Sequence, residues 1–186
     1  MIAWKLVLAC LILAALSACG EETNLVKRGE YLVTISGCHD CHTPKVQGPQ
    51  GMPLPDPSRL LSGHPANLPY PTWSAEDAQN RHALAMTNEM MTAWAGPWGV
   101  SFAANLTPDK ETGLQEWTEG MFIQALRTGK HQGQPNGRDI LPPMPWFNYK
   151  QASDDDLKAI WAYLQSLPPV KNQVPFPVPP TAKPAP

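Results

Sequence analysis

The chain has 186 residues, of which 42% are hydrophobic and 16% charged, and its formal net charge is −2. At about 100–200 residues per domain, this length predicts one domain with a core of its own. A net charge so close to zero provides no basic stripe for a phosphate backbone, which argues against nucleic-acid binding. The unusual counts are 22 prolines and 4 cysteines. The prolines predict long irregular loops, and the cysteines could form two disulfides, a metal site or another structure.

The N-terminal segment has the pattern of a secretory signal. One lysine, Lys5, precedes an apolar run from Leu6 to Leu16, which is about half the roughly 20 residues that a membrane-spanning helix needs. The next residues, Leu16-Ser17-Ala18-Cys19-Gly20, resemble the lipobox of bacterial lipoproteins. We expect a signal peptide at residues 1–18, with ordinary cleavage near Ala18 and no lipid as the alternative.

The lipobox resemblance implies that Cys19 is lipidated and that residues 19–23 form a short tether. Several acyl chains on one residue meet the requirement of two membrane signals for stable attachment. The expected location is the periplasmic side of a bacterial cell envelope, and Gly20 at the next position favours the outer membrane. Cys10 would leave with the signal, so Cys38 and Cys41 would be the only cysteines without a lipid.

The hydrophobic pattern predicts helices joined by loops and gives no convincing strand. The predicted helices cover residues 24–36, 74–94, 118–128 and 153–167. The last is the clearest, since Ser153 is a good N-cap, three aspartates follow it where the helix dipole favours negative charge, and the apolar residues form one stripe. The predicted fold class is therefore all-α.

Two proline-rich stretches lie outside these helices. Residues 44–71 are predicted to form a long loop that wraps a surface, because proline cannot donate to a sheet ladder. Residues 169–186 are predicted to be a disordered, solvated tail with polyproline conformation.

The first predicted helix is followed by Cys38-His39-Asp40-Cys41-His42, a CxxCH motif. In a secreted chain this motif indicates covalent attachment of one haem c. One helical turn brings both thiols to the vinyl groups on one edge of the porphyrin, and His42 then binds the iron. We expect the second ring nitrogen of His42 to donate to a carbonyl in the loop from Thr43 to Pro57.

Two other kinds of site could contain this motif. A zinc site needs four ligands, and the sequence has no second CxxC or HxxxH pair to complete one. A thioredoxin-type redox pair needs a βαβ unit, which the helical pattern does not provide.

Met144 is the predicted second axial ligand. It lies in Leu141-Pro142-Pro143-Met144-Pro145-Trp146, where prolines on both sides fix φ and remove N–H groups that would need partners. A neutral thioether ligand raises the reduction potential of haem iron. Other candidates are the remaining methionines, most of them predicted to fill the core, and three histidines: Met52, Met86, Met90, Met91, Met121, His64, His82 and His131.

The haem propionates also need hydrogen-bond donors. Four side chains are candidates, each of which could equally serve as a packing or turn residue: Trp98, Asn105, Trp117 and Arg138.

The first helix, the CxxCH motif, the methionine loop and the final helix ending Ala159-Ile160-Trp161-Ala162-Tyr163-Leu164 together resemble class I cytochromes c over residues 24–168. Three segments are more specifically similar to single-haem domains in cytochrome subunits of bacterial dehydrogenase complexes: Asn105-Leu106-Thr107-Pro108-Asp109, Leu126-Arg127-Thr128-Gly129-Lys130 and the PPMPW segment.

The resemblance implies a cytochrome c fold in which the terminal helices cross, with Gly29 against Tyr163. Residues 44–100 would be an insertion, because the distance from His42 to Met144 is longer than in compact cytochromes.

The resemblance also implies an electron carrier rather than an enzyme. Ligation by His42 and Met144 leaves no position on the iron for a substrate, so the protein would pass single electrons between periplasmic or membrane redox partners. One alternative is an electron-transfer subunit fixed in a dehydrogenase or oxidase complex. A less favoured alternative is a haem-based ligand sensor or a peroxidase-like enzyme, since peroxidases that resemble cytochromes carry two haems and the sequence has one CxxCH.

Overall fold

The computed structural model describes residues 24–80 and 82–180. The predicted signal peptide at residues 1–18, the lipidation site Cys19 and the tether at 19–23 lie outside these residues. Across the two described ranges, no helix combines the length and the apolar character needed to cross a membrane.

The described chain contains five α-helices and two small antiparallel sheets. The helices are α1 (24–35), α2 (Cys38–His42), α3 (Glu119–Thr128), α4 (Trp146–Tyr149) and α5 (Asp154–Ser166). The first sheet pairs β1 (Lys45–Gln47) with β2 (Pro53–Pro55). The second has the order β3 (Met86–Thr87), β4 (Ala93–Gly96) and β5 (Gly99–Phe102).

Capping residues mark both ends of α3 and the start of α5. The Thr118 hydroxyl accepts a hydrogen bond from the backbone N–H of Met121 at 3.2 Å, and Gly129 ends α3 in the left-handed region with φ of 70°. The Ser153 hydroxyl accepts from the N–H of Asp156 at 3.1 Å at the start of α5. These caps satisfy backbone groups that have no partner within the helix. The predicted helices at 118–128 and 153–167 are confirmed within one residue at each end.

The main core lies between α1, α3 and α5. Its buried members come from all three helices and from two loops: Val33, Leu61, Leu114, Phe122, Leu126, Leu157, Ile160, Tyr163 and Leu164. A smaller core of Trp73, Ala95 and Val100 lies on the second sheet.

The two terminal helices are in close contact at Gly29 and Tyr163. A Cβ added to Gly29 would lie 1.9 Å from the carbonyl oxygen of Ala159 and 2.7 Å from the Cβ of Tyr163. The backbones of α1 and α5 therefore approach so closely that position 29 has no room for a side chain. An ion pair between Arg28 and Asp156, 3.0 Å apart, links the same two helices at the surface.

The prediction of a helix over residues 74–94 is wrong, and the all-α class is not confirmed, because two small sheets accompany the helices. Ser74 and Asp77 do exchange capping hydrogen bonds of 2.8 and 3.1 Å, but only a 3₁₀ turn at Asp77–Gln79 follows them. Farther along, the Asn88 side chain accepts from the backbone N–H groups of Thr92 and Ala93. This side chain closes the turn between β3 and β4, so the segment pairs as strands.

The prediction of a disordered, solvated tail is wrong for residues 169–180. Val178 exchanges two backbone hydrogen bonds with Val100, of 2.8 and 2.9 Å, at the edge of the second sheet. Asn172 is buried, with 6% of its surface exposed. The prolines in this stretch cannot donate, but the residues between them can, and those residues fasten the chain. Residues 181–186 lie outside the described residues.

Candidate haem site

The two thiols of the CxxCH motif lie one turn apart on α2 and are not joined in a disulfide. Gly37, with φ of 68°, lets the chain turn sharply from α1 into α2. Burial raises the pKa of Cys38 to about 11, and burial also raises the pKa of Cys41. The thioredoxin-type interpretation needs a βαβ unit, and the strands of both sheets in the described residues pair antiparallel.

Two side chains from other elements hold α2 in place. The Lys45 ammonium group donates to the carbonyl oxygens of His39 and Asp40, both at 2.9 Å, and so satisfies carbonyls at the C-terminal end of the helix. The Tyr149 hydroxyl donates to the carbonyl of Ser36 at 2.8 Å and interacts with the Cys38 thiol. Burial raises the pKa of Tyr149 to about 12, so both groups stay protonated at neutral pH.

His42 is buried, and its Nδ1 lies 2.8 Å from the carbonyl oxygen of Ala104. Because a carbonyl only accepts, Nδ1 carries the proton, and in the neutral ring Nε2 then has a free lone pair. Burial lowers the pKa of His42, although the Ala104 carbonyl acts in the opposite direction. The neutral imidazole is the form that binds iron.

The predicted acceptor for His42, a carbonyl in the loop from Thr43 to Pro57, is wrong. The backbone N–H of Gly63 donates to the carbonyl of His42 at 2.8 Å, and the N–H of His64 donates to the carbonyl of Ala103 at 2.9 Å. Residues 61–64 thus lie between α2 and the segment after β5, which places the Ala104 carbonyl against the ring.

Met144 packs against the same core cluster as Cys38. It lines a cavity of about 340 Å³ whose other walls include Ile140, Trp146 and Phe147. The loop is fastened to β5 by a 2.5 Å hydrogen bond from the Ser101 hydroxyl to the carbonyl of Pro142. These contacts hold the Met144 thioether in an apolar wall, as the prolines around it predict. The bond from Met144 to iron stays a prediction.

One other candidate ligand is already engaged within the protein. The ring nitrogens of His64 lie 2.9 Å from the Thr92 hydroxyl and 3.2 Å from the carbonyl of Leu68. Its side chain is fully buried, so His64 is a satisfied core histidine.

The four propionate candidates differ in what their side chains contact. Both amide N–H groups of Asn105 are used, toward Val170 at 2.8 Å and Thr112 at 3.2 Å, which argues against a propionate contact. Three stay predictions: Trp98, whose indole donates to Ser101 at 3.3 Å, Trp117, whose ring packs edge-on against His131, and Arg138, whose guanidinium donates to the carbonyl of Asp139.

Sequence reasoning missed Lys45, Trp94, Ala104 and Tyr149 as members of the site. The indole of Trp94 lies beside the Cys41 thiol. Lys45 could have been found, because a cation just after a short helix suits its negative end. Ala104 gave no signal, since it contributes only its backbone carbonyl. Over residues 24–80 and 82–180, no cluster of three or more His, Cys, Asp and Glu side chains could hold a metal ion.

No family model matches the chain. The chain is 31% identical over 158 residues to the gluconate 2-dehydrogenase cytochrome c subunit of Pantoea cypripedii, a match that covers 85% of the chain and 26% of that protein. It is 33% identical over 158 residues to the fructose dehydrogenase cytochrome subunit of Gluconobacter japonicus, covering 82% and 24%. It is also 29% identical over 175 residues to the alcohol dehydrogenase (quinone) cytochrome c subunit of Gluconobacter oxydans, covering 91% and 28%.

The chain is similar to the cytochrome c subunits of bacterial dehydrogenases. It spans only about a quarter of the length of these relatives. The donor set fits the haem c that the name cytochrome c implies: two free thiols one helical turn apart, and a neutral histidine next to them with one nitrogen available.

Proposed function

We propose that the chain is a membrane-tethered c-type cytochrome that carries single electrons for a dehydrogenase. Cys38 and Cys41 would hold one haem c through thioether bonds, and His42 and Met144 would bind its iron. The observation that carries the proposal is the CxxCH helix, whose thiols are unpaired and whose histidine directs its proton to the Ala104 carbonyl.

The haem supplies reversible one-electron chemistry when bound. The protein's residues hold His42 and Met144 in place and exclude water from one side of the haem. The hydrogen bond from His42 to a neutral carbonyl raises the basicity of the imidazole. The Met144 loop is fixed to β5 through Ser101, which favours similar geometry in both oxidation states. With His42 and Met144 both bound to the iron, no position would be left for a small-molecule substrate.

The comparisons support a role beside a dehydrogenase rather than a freely diffusing shuttle. Three relatives carry the name of a dehydrogenase cytochrome subunit, for gluconate, fructose or alcohol dehydrogenase. Each is far longer than this chain, so the identity of the partner is part of the proposal. Lipidation at Cys19 would keep the protein on the periplasmic side of the cell envelope, with the outer membrane favoured.

The ligand set is tested by the near-infrared band of methionine-ligated ferric haem. We expect the wild type to show this band and Met144→Ala to lose it and bind carbon monoxide. Met52→Ala is the matched control, because Met52 lies between β1 and β2 and is 62% exposed. A wild-type protein that is high-spin, or a band that Met144→Ala retains, would contradict Met144 as ligand.

The tether and the partner are tested together by purification from membranes. We expect wild-type protein to stay with the membrane fraction and to retain a dehydrogenase in constant ratio after detergent extraction. Cys19→Ser should release the cytochrome into the soluble fraction. Membrane protein recovered without any such partner would favour the tethered shuttle instead.

A further inference from the structure

The segment after α5, residues 169–180, is called the strap. One of its residues, Asn172, is buried and forms hydrogen bonds to the turn of residues 61–66, which lies between α2 and the segment after β5. The Asn172 amide donates to the carbonyl oxygens of Ser62 at 2.7 Å and His64 at 2.9 Å. Its own oxygen accepts from the backbone N–H of Ala66 at 3.1 Å.

The turn that Asn172 holds has an irregular backbone. Leu61 and Gly63 both adopt positive φ, of 56° and 78°, and Leu61 is fully buried. A branched residue in this region persists only where its surroundings fix it. A backbone bent in this way cannot pair regularly with a strand on its outer side, so the carbonyls of Ser62 and His64 need another donor. The Asn172 amide is that donor.

The other side of the same turn faces the axial ligand. Gly63 donates to the backbone carbonyl of His42, and His64 donates to the carbonyl of Ala103. The next carbonyl, that of Ala104, accepts from the His42 ring at 2.8 Å. The turn therefore fixes both the backbone of His42 and the position of the carbonyl that its ring donates to.

We propose that Asn172 on the strap is a positioning residue for His42 and thereby sets the reduction potential of the haem. The inference rests on the proposed function, since it concerns His42 as an iron ligand. A shorter, better-aligned hydrogen bond from Nδ1 makes the imidazole donate electron density to the iron more strongly, which favours ferric iron. Loss of the Asn172 bonds loosens this hydrogen bond and raises the potential.

Besides Asn172, two other contacts fasten the strap, so the test is specific to Asn172. The carbonyl of Val170 accepts from Asn105 at 2.8 Å, and Val178 pairs with Val100. These contacts keep the strap attached when Asn172 is replaced. Neutral replacements also leave the charge near the haem unchanged.

The experiment is a redox titration of haem-loaded full-length Asn172→Ala and Asn172→Leu, with exchange of the His42 Nδ1 proton followed by NMR. Asn172→Leu keeps most of the side-chain volume and removes the hydrogen bonds. We expect both variants to have a raised potential and faster Nδ1 exchange while the methionine band is retained. A tenfold loss of His42 affinity for ferric over ferrous iron corresponds to about 59 mV for one electron.

Two controls separate positioning from stability. Gln173→Ala alters the exposed neighbour on the strap, and Gly29→Ala destabilises the protein at the contact between α1 and α5, where its Cβ would meet Ala159 and Tyr163. Both should leave the potential and the Nδ1 exchange at wild-type values. Asn172 variants that lose stability but match these controls in potential would overturn the proposal. Failure of both Asn172 variants to accumulate with haem, while Gly29→Ala does accumulate with haem, would also overturn it. A wild type without covalent haem would instead overturn the proposed function itself.

Discussion

The helical body and the wrapped region differ in the interactions that stabilise each of them. The body consists of α1, α3 and α5, and its contacts are apolar side chains such as Val33, Phe122 and Leu157, all buried. In the wrapped region, residues 43–107 with the strap, buried polar side chains bond to backbone groups instead. Thr43 accepts from the N–H of Leu61, and Asn172 holds the turn that follows Leu61.

This difference follows from what each stretch of sequence can supply. A helix satisfies its own backbone, so its stability depends on burying one apolar stripe. A proline-rich chain lacks donors for a regular ladder, so threonine, asparagine and histidine side chains must satisfy its buried backbone groups. Both kinds of interaction are present at His42. Its helix is fixed to the body, and its ring is fixed by the wrapped region.

The largest expected effect is in the body, at the crossing of α1 and α5. Gly29→Ala should lower the free energy of unfolding by about 3 kcal/mol, the upper end for overpacking, because the new Cβ meets the Ala159 backbone at 1.9 Å. Gly120→Ala is the control, since its nearest added contact is 3.9 Å away and alanine favours helix. Thermal or denaturant unfolding of the haem-loaded proteins measures both, and equal effects would contradict the close crossing.

A smaller loss is expected from a single amide in the wrapped region. Asn105→Ala should lower the free energy of unfolding by about 2 kcal/mol, because it leaves the buried N–H of Thr107 and the carbonyl of Val170 without this partner. Asn148→Ala, at an exposed position on α4, should have little effect. Unchanged unfolding of Asn105→Ala would show that the wrapped region does not depend on such side chains.

The sequence predicts the body well because its signals are local. Ser153, Thr118 and Gly129 mark helix ends, and the crossing at Gly29 follows from the resemblance to class I cytochromes c. The CxxCH motif likewise places both thiols and His42 on one short helix, since its spacing needs no distant residue.

The wrapped region could not be predicted because its interactions join residues far apart in sequence without a repeating pattern. Asn172 bonds to residues more than 100 positions earlier, with separations of 110 and 108. The acceptor for His42 is 62 residues away and is a backbone carbonyl, which any residue type provides. Asn88 closes a turn with its side chain, whereas a periodicity argument counts it only as a polar helix position.

The smallest expected effect concerns pH and the buried histidine of the wrapped region. Because its Nε2 faces the Leu68 carbonyl, that nitrogen carries the proton, and Nδ1 accepts from the Thr92 hydroxyl. Burial lowers the pKa of His64 below 6.5, although the Leu68 carbonyl acts in the opposite direction. Below pH 6.5 the unfolded chain therefore binds a proton that the folded protein resists.

The contribution of His64 to stability should accordingly be complete above pH 6.5 and decline as the pH falls from there toward the folded pKa. The limiting slope for one proton is about 1.4 kcal/mol per pH unit. His64→Gln should be less stable than the wild type at pH 7.5. The difference between their free energies of unfolding should be smaller at pH 5, as measured by denaturant titrations at both pH values. Tyr70→Leu, which alters a ring packed on the same Phe102 side chain, should keep a constant gap. If His64→Gln also kept a constant difference in free energy of unfolding from the wild type, burial of neutral His64 would not contribute to the acid sensitivity of the wrapped region. That region would then resemble the helical body in its response to pH.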